Sequence, residues 1–130
     1  MRKDAREFAF KMIYQNLYKE VDETLSFDII TEHTKLEEKD FKLYEDIYSS
    51  YFMNEGFLSD KIKSVCEGYE LDRIYKVDLA LLYLAIAEIT FVKTPKQVVI
   101  NEVLNLAKKY STEKSVSFIN GVLAKVVKEM

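Results

Sequence analysis

The sequence predicts an all-α fold of about seven helices wrapped around one apolar central helix, on three observations. The first is the stretch from Val77 to Val92, VDLALLYLAIAEITFV, in which thirteen of sixteen residues are apolar and do not alternate with polar ones. The second is sparse backbone punctuation: Gly56, Gly68, Gly121 and Pro95 are the only glycines and proline in 130 residues. A β-sandwich needs many more turn residues than that. The third is that apolar residues elsewhere recur at three- and four-residue spacing, the period of a helix face.

The central stretch constrains everything else. Leu79, Leu82, Ile86 and Ile89 line one helical face, while Leu81, Leu84, Ala85 and Phe91 cover most of the remainder. A helix that is apolar nearly all round must be wrapped by protein or by lipid. A membrane span needs about 20 apolar residues, and this run is shorter and carries Glu88. It also exceeds the roughly 4–8 residues of a buried strand. Glu88 is the residue that burial does not explain, and it is expected to mark where the helix meets the surface and a partner.

Length and composition suit one domain over residues 1–130 whose core needs no staple, with 48% apolar residues. Cys66 is the single cysteine, so no internal disulfide can form. The start, MRKDAREFAF, lacks the apolar run of a signal peptide, and a reducing cytoplasm is the expected compartment. The net charge of −3 hides an asymmetry. Residues 1–20 carry five cations against three anions, residues 21–60 three against eleven, and residues 93–130 seven against three. An anionic partner would be drawn to the two ends and repelled by the middle, provided the terminal helices lie together.

Taken in order, the first helix is expected over Lys3 to Tyr18, with Ala5, Phe8, Ala9, Met12, Ile13 and Leu17 inward. Arg2, Lys3 and Arg6 crowd its N-terminus, where cations oppose the macrodipole. That placement suits phosphate contacts. A shorter amphipathic piece follows between Asp22 and Leu36 and contains His33, the only histidine. The next helix, Glu37 to Met53, turns Phe41, Tyr44, Ile47, Tyr48, Tyr51 and Phe52 inward, and a fourth runs from Leu58 to Cys66. Leu71 to Lys76 links it to the central helix.

Beyond the central helix, Thr94-Pro95-Lys96-Gln97 has the pattern of an N-cap, a first-turn proline and a capping-box glutamine. The helix that follows buries Val99, Ile100, Val103, Leu104, Ala107 and Tyr110. The last, Glu113 to Lys128, has the cleanest stripe: Phe118, Ile119, Val122, Leu123, Val126 and Val127. Gly121 sits inside it at a cost of about 1 kcal/mol relative to alanine. It calls for either close helix–helix approach or an accessible backbone. The chain has no glycine-rich phosphate loop, metal-ligand spacing or Ser, Cys or His triad, so neither catalysis nor a cofactor or metal is expected.

Three blocks carry a family resemblance in order along the chain. They are Ala5-Arg6-Glu7 through Ala9 to Ile13-Tyr14-Gln15, then Leu82-Tyr83-Leu84-Ala85-Ile86-Ala87-Glu88-Ile89, and last the segment after Thr94-Pro95. That segment holds Val98-Val99-Ile100-Asn101-Glu102, Leu106-Ala107-Lys108-Lys109-Tyr110 and Phe118-Ile119-Asn120-Gly121-Val122-Leu123. Together they resemble the NusB family of bacterial antitermination factors. The resemblance implies two packed helical subbundles and binding rather than catalysis. It further implies boxA-type single-stranded RNA of ribosomal RNA leaders as ligand, NusE, a ribosomal small-subunit protein, as partner, and action within the RNA polymerase antitermination complex. Relatives occur as monomers and dimers.

Carried over by residue, the resemblance assigns Arg2, Lys3, Arg6, Tyr14 and Phe118 to RNA and Glu88 and Tyr83 to NusE. There are departures. Asp4 interrupts the basic cluster, Ala87 and Tyr83 replace a common tyrosine and arginine, Ser111 a glycine and Ala124 an aspartate. An adaptor of the same fold with weak RNA affinity is the alternative; a domain of the kind fused to ribosomal RNA methyltransferases is a third reading, for a fragment.

Overall fold

The central run forms α4 (Lys76–Ala87) and a π-helical turn (Glu88–Val92), and every residue from Asp78 to Ile89 is buried. The computed structural model describes residues 2–18, 27, 28, 30, 31, 36–66, 68 and 70–130. Around the centre lie α1 (Arg2–Asn16), α2 (Glu38–Met53), α3 (Glu55–Val65), α5 (Lys96–Tyr110) and α6 (Glu113–Lys128), with a 3₁₀ turn at Leu71–Arg73. Of the expected piece between Asp22 and Leu36, Phe27, Asp28, Ile30 and Thr31 are helical, and most of the rest, His33 included, lies outside the described residues.

Two helical groups share α4. On one side α1 and α2 pack on each other and on α4; on the other, α3 and α5 each pack on α6, and all three pack on α4. The first group is sealed by aromatic edge contacts, with Phe8 meeting Phe27 at 5.5 Å and Tyr44 at 4.6 Å between ring centroids. The stripes read from the sequence face this core: Ala5, Phe8, Ala9, Met12 and Ile13 from α1, and Ile119, Val122, Leu123 and Val126 from α6.

Three expectations are corrected, and of the two readings of Gly121 the accessible backbone is the one that holds. The Thr94-Pro95 capping box does not form: Pro95 stands extended before α5 without a side-chain cap, and Gln97 Nε2 donates instead to Asn101 Oδ1 at 2.9 Å. The side-chain cap lies one helix later, where Thr112 Oγ1 accepts from the Ser115 N–H at 3.1 Å. Phe52, expected inward, is exposed, because at that level of α2 the inward position is taken by Tyr51, which bonds Asn16 of α1 and meets Tyr83 of α4. Gly121 serves no close helix approach: a Cβ built there meets nothing within 4 Å. The first and last helices do not pack side by side either, since α6 rests on α3, α4 and α5 while α1 rests on α2 and α4.

The end of the central helix also departs from a regular spiral. The Lys93 N–H donates to the Glu88 carbonyl at 2.9 Å, an i→i+5 bond that widens the last turn. Lys93 then takes a left-handed conformation, φ 65°, which ends the helix. The wider turn leaves Phe91 partly exposed, although the sequence placed it on the wrapped surface.

Because Gly121 is exposed and unobstructed, Gly121→Ala should stabilise the protein by about 1 kcal/mol, read as a rise in thermal midpoint. An unchanged or lower midpoint would mean that the glycine has a packing role.

Candidate functional site

Of the basic cluster at the start of α1, only Arg2 and Lys3 face solvent. Arg6 is 4% exposed and reaches across to α4, where its Nε donates to Glu88 Oε1 at 2.8 Å and its Nη2 to Glu88 Oε2 at 2.7 Å. Glu88 is 0% exposed. The assignment of Arg6 to phosphates and of Glu88 to a partner is therefore corrected: each charge is spent on the other. Burial alone would depress the Arg6 guanidinium, but the Glu88 carboxylate, aided by Glu102, holds it above its ordinary value. The sequence signals the need but not the partner: a carboxylate on a nearly all-apolar, enclosed helix requires a buried cation, and nothing local names Arg6.

Tyr83 is likewise inside. Its hydroxyl is 2.7 Å from Ser59 Oγ on α3, its ring lies 5.3 Å from that of Tyr51, and burial pushes its hydroxyl pKa up. The expected partner contact through Tyr83 is corrected for the same reason: α4 is enclosed on all sides at that level. Tyr14 is half-buried and belongs to a tyrosine face. Its hydroxyl is 3.0 Å from that of Tyr18, a bond that raises its pKa, and Tyr75 stands near enough to act on it electrostatically. Lys76 Nζ lies 5.5 Å over the Tyr18 ring. Tyr18 and Tyr75 are exposed, and sequence spacing did not single them out.

A second network ties α1 to α5. Lys109 Nζ and Tyr110 Oη both donate to Glu7 Oε1, at 2.7 and 2.9 Å. Burial favours protonated Glu7, but these two donors outweigh it and hold the carboxyl below its ordinary 4.5. Lys109 thus brings the basic end of α5 to α1, a junction the sequence did not reveal. The groove there, about 520 Å³, mixes Lys3 and Lys109 with Asp4, Glu7 and Glu102 and is no simple phosphate cradle.

Phe118 lies elsewhere, half-buried at an open cleft of about 920 Å³ between the end of α3 and α6. Gly121, Lys125 and Lys128 line the same cleft, so an aromatic face, bare backbone and two cations converge. Cys66 closes its inner wall, and burial pushes the thiol pKa up despite Lys125 nearby. Phe118 and the Arg2–Lys3 pair are thus on helices that do not pack on each other. Among the described residues, no cluster of His, Cys, Asp or Glu could hold a metal ion, and no helix is long and apolar enough to cross a membrane.

Residues 3–128 match the family model described as the NusB family. The chain belongs to the NusB family. It is 41% identical to the transcription antitermination protein NusB of Acetivibrio thermocellus over 128 residues, covering 98% of this chain and 88% of that protein. It is 35% identical to the protein of the same name from Natranaerobius thermophilus, covering 99% and 96%. Among solved structures, NusB of T. maritima superposes with a TM-score of 0.88 at 29% identity, covering 99% of this chain and 92% of that one. The antitermination factors NusB and NusE in complex with dsRNA give 0.89 at 24% identity, covering 99% and 97%, a likeness of fold. The all-α architecture in two subbundles is thus that of the family.

Removing one member of the buried pair strands the other charge. Glu88→Gln should cost about 3–5 kcal/mol, measured by urea unfolding, and a loss below about 1 kcal/mol would show that the pair is dispensable. The Glu7 network adds a pH dependence. Its folded pKa lies below the ordinary value, so its stabilisation is present above about pH 4.5 and is lost as pH falls through the lowered pKa. Between about pH 5 and pH 3, Glu7→Gln should lose less stability than the wild type; parallel acid limbs would remove Glu7 from the account.

Proposed function

We propose that the chain is a transcription antitermination factor. It binds boxA-type single-stranded RNA of ribosomal RNA leader transcripts together with NusE and helps RNA polymerase resist termination. The observation that carries this is near-full-length similarity to proteins named for that role. It acts as one domain, in the cytoplasm, by binding rather than catalysis, and without a cofactor.

The RNA would be held in two places. Exposed Arg2 and Lys3 meet phosphates, and the half-exposed ring of Phe118 offers a stacking face beside Gly121, Lys125 and Lys128. Tyr14 offers a further ring, at the edge of the face shared with Tyr18 and Tyr75. With Glu88 and Tyr83 enclosed, NusE must be met by other residues. That tyrosine face has the composition interfaces favour.

One observation favours the second reading, an adaptor of weak RNA affinity: withdrawal of Arg6 into the core leaves only two exposed cations at the start of α1. Fluorescence anisotropy with boxA RNA, with and without NusE, separates the two. In the first reading Arg2→Ala/Lys3→Ala lowers the salt slope of binding by about 1.4, two single-strand phosphates' worth. Phe118→Ala weakens binding about 5- to 150-fold, the range for one lost base stack. Binding that requires NusE and ignores both changes would establish the adaptor instead. Wild type that binds neither RNA nor NusE would defeat both readings.

A further inference from the structure

Gly121 stands in the middle of α6, where a glycine gives up helix stability that alanine would keep. Three structural reasons for tolerating it fail. No neighbour approaches closely, since a Cβ built there meets nothing within 4 Å. Its φ is not in the left-handed region, which among the glycines only Gly68 adopts. Nor does it end or break α6, which runs through it to Lys128. A side chain at this exposed position would obstruct nothing within the fold, only what enters the cleft that Gly121 lines.

The chemistry of the cleft points to its occupant. Phe118, Gly121, Lys125 and Lys128 follow at spacings of three, four and three, so they form one stripe along the open face of α6. At a rise of about 1.5 Å per residue, Gly121 lies about 4.5 Å beyond Phe118, and Lys125 about 6 Å beyond Gly121. The order is an aromatic ring, bare backbone and two cations, and the carboxylate of Glu129 closes the stripe. The facing wall, at the end of α3, is buried Val65 and Cys66 with the Ser64 hydroxyl, which donates to the Lys61 carbonyl of its own helix. A nucleotide presents its groups in the same order: a base that stacks, a sugar, and a phosphate that meets a cation. We infer that a single RNA strand runs along α6 from Phe118 towards Lys128 with a sugar lying directly on the backbone at Gly121, so that this glycine is the residue that admits the strand. This role rests on the RNA-binding reading above, to which it adds the path of the strand and the reason for a glycine inside α6.

The test compares boxA RNA binding in the presence of NusE, by fluorescence anisotropy, with the thermal midpoint for Gly121→Ala, Gly121→Leu and Gly56→Ala. Gly56, also exposed with nothing within 4 Å of a built Cβ but outside the cleft, is the control. Gly121→Ala should raise the midpoint yet weaken RNA binding. Gly121→Leu should weaken it further, by at least about tenfold, within the range for one lost base contact. Neither should change the salt slope, because no charge is removed, whereas Lys125→Ala/Lys128→Ala should lower it by about 1.4. A gain in stability joined to a loss of binding is what a merely structural glycine would not give. Undiminished binding by Gly121→Leu, a lowered midpoint for Gly121→Ala, or an equal loss in Gly56→Ala would overturn the role of Gly121; if Phe118→Ala still weakens binding, the RNA reading survives. Wild type that binds no RNA would overturn both.

Discussion

The buried bidentate pair between Arg6 and Glu88 is the interaction on which the arrangement of the fold depends. It joins the first turns of α1 to the π-turn that ends α4, and so fixes how the N-terminal group is set against the helix both groups share. Two ions removed from water are tolerable only when their geometry is close to ideal, and two short parallel bonds provide that. Each ion is then unavailable for any other purpose. The exposed basic cluster shrinks to Arg2 and Lys3, and the central helix offers no carboxylate to a partner.

The same pair sits where α4 changes pitch. Glu88 begins the π-turn, its side chain held by Arg6 and its carbonyl by the Lys93 N–H. Anchoring the helix inward at that residue accompanies a widened turn that brings Phe91 back to the surface beside Phe57. At the other end of α4, Asp78 is fixed by the Ser111 hydroxyl at 2.9 Å, which ties the helix start to the connection between α5 and α6. The centre is therefore pinned at both ends by buried carboxylates, and between them by apolar packing and the Tyr83–Ser59 hydrogen bond.

These constraints distribute the exposed features. The Arg2–Lys3 pair at the start of α1, the tyrosine face at its end and the Phe118 cleft on the opposite group all lie outside the enclosed stretch of α4. The carboxylates of α2 are kept apart from the cleft lysines because α2 packs in the other group from α6.

Much of this was legible in the residues. A sixteen-residue apolar run with two acids and a threonine can satisfy its backbone only as a helix and its side chains only by enclosure, so the centre followed from local chemistry. The amphipathic stripes of α1, α2, α5 and α6 followed from their period. What the sequence could not settle was which long-range partner each polar residue takes. Arg6 and Glu88 are 82 residues apart, Lys109 and Glu7 102 apart, and nothing local tells which cation meets which carboxylate. The capping box at Thr94 failed for the opposite reason: its spacing was right, but Gln97 had a neighbour, Asn101, one turn away. Sequence by itself determined the helices and the buried centre, because hydrophobic periodicity is a local property. Tertiary structure alone decided which charges and aromatics remain at the surface, because exposure depends on what folds over them.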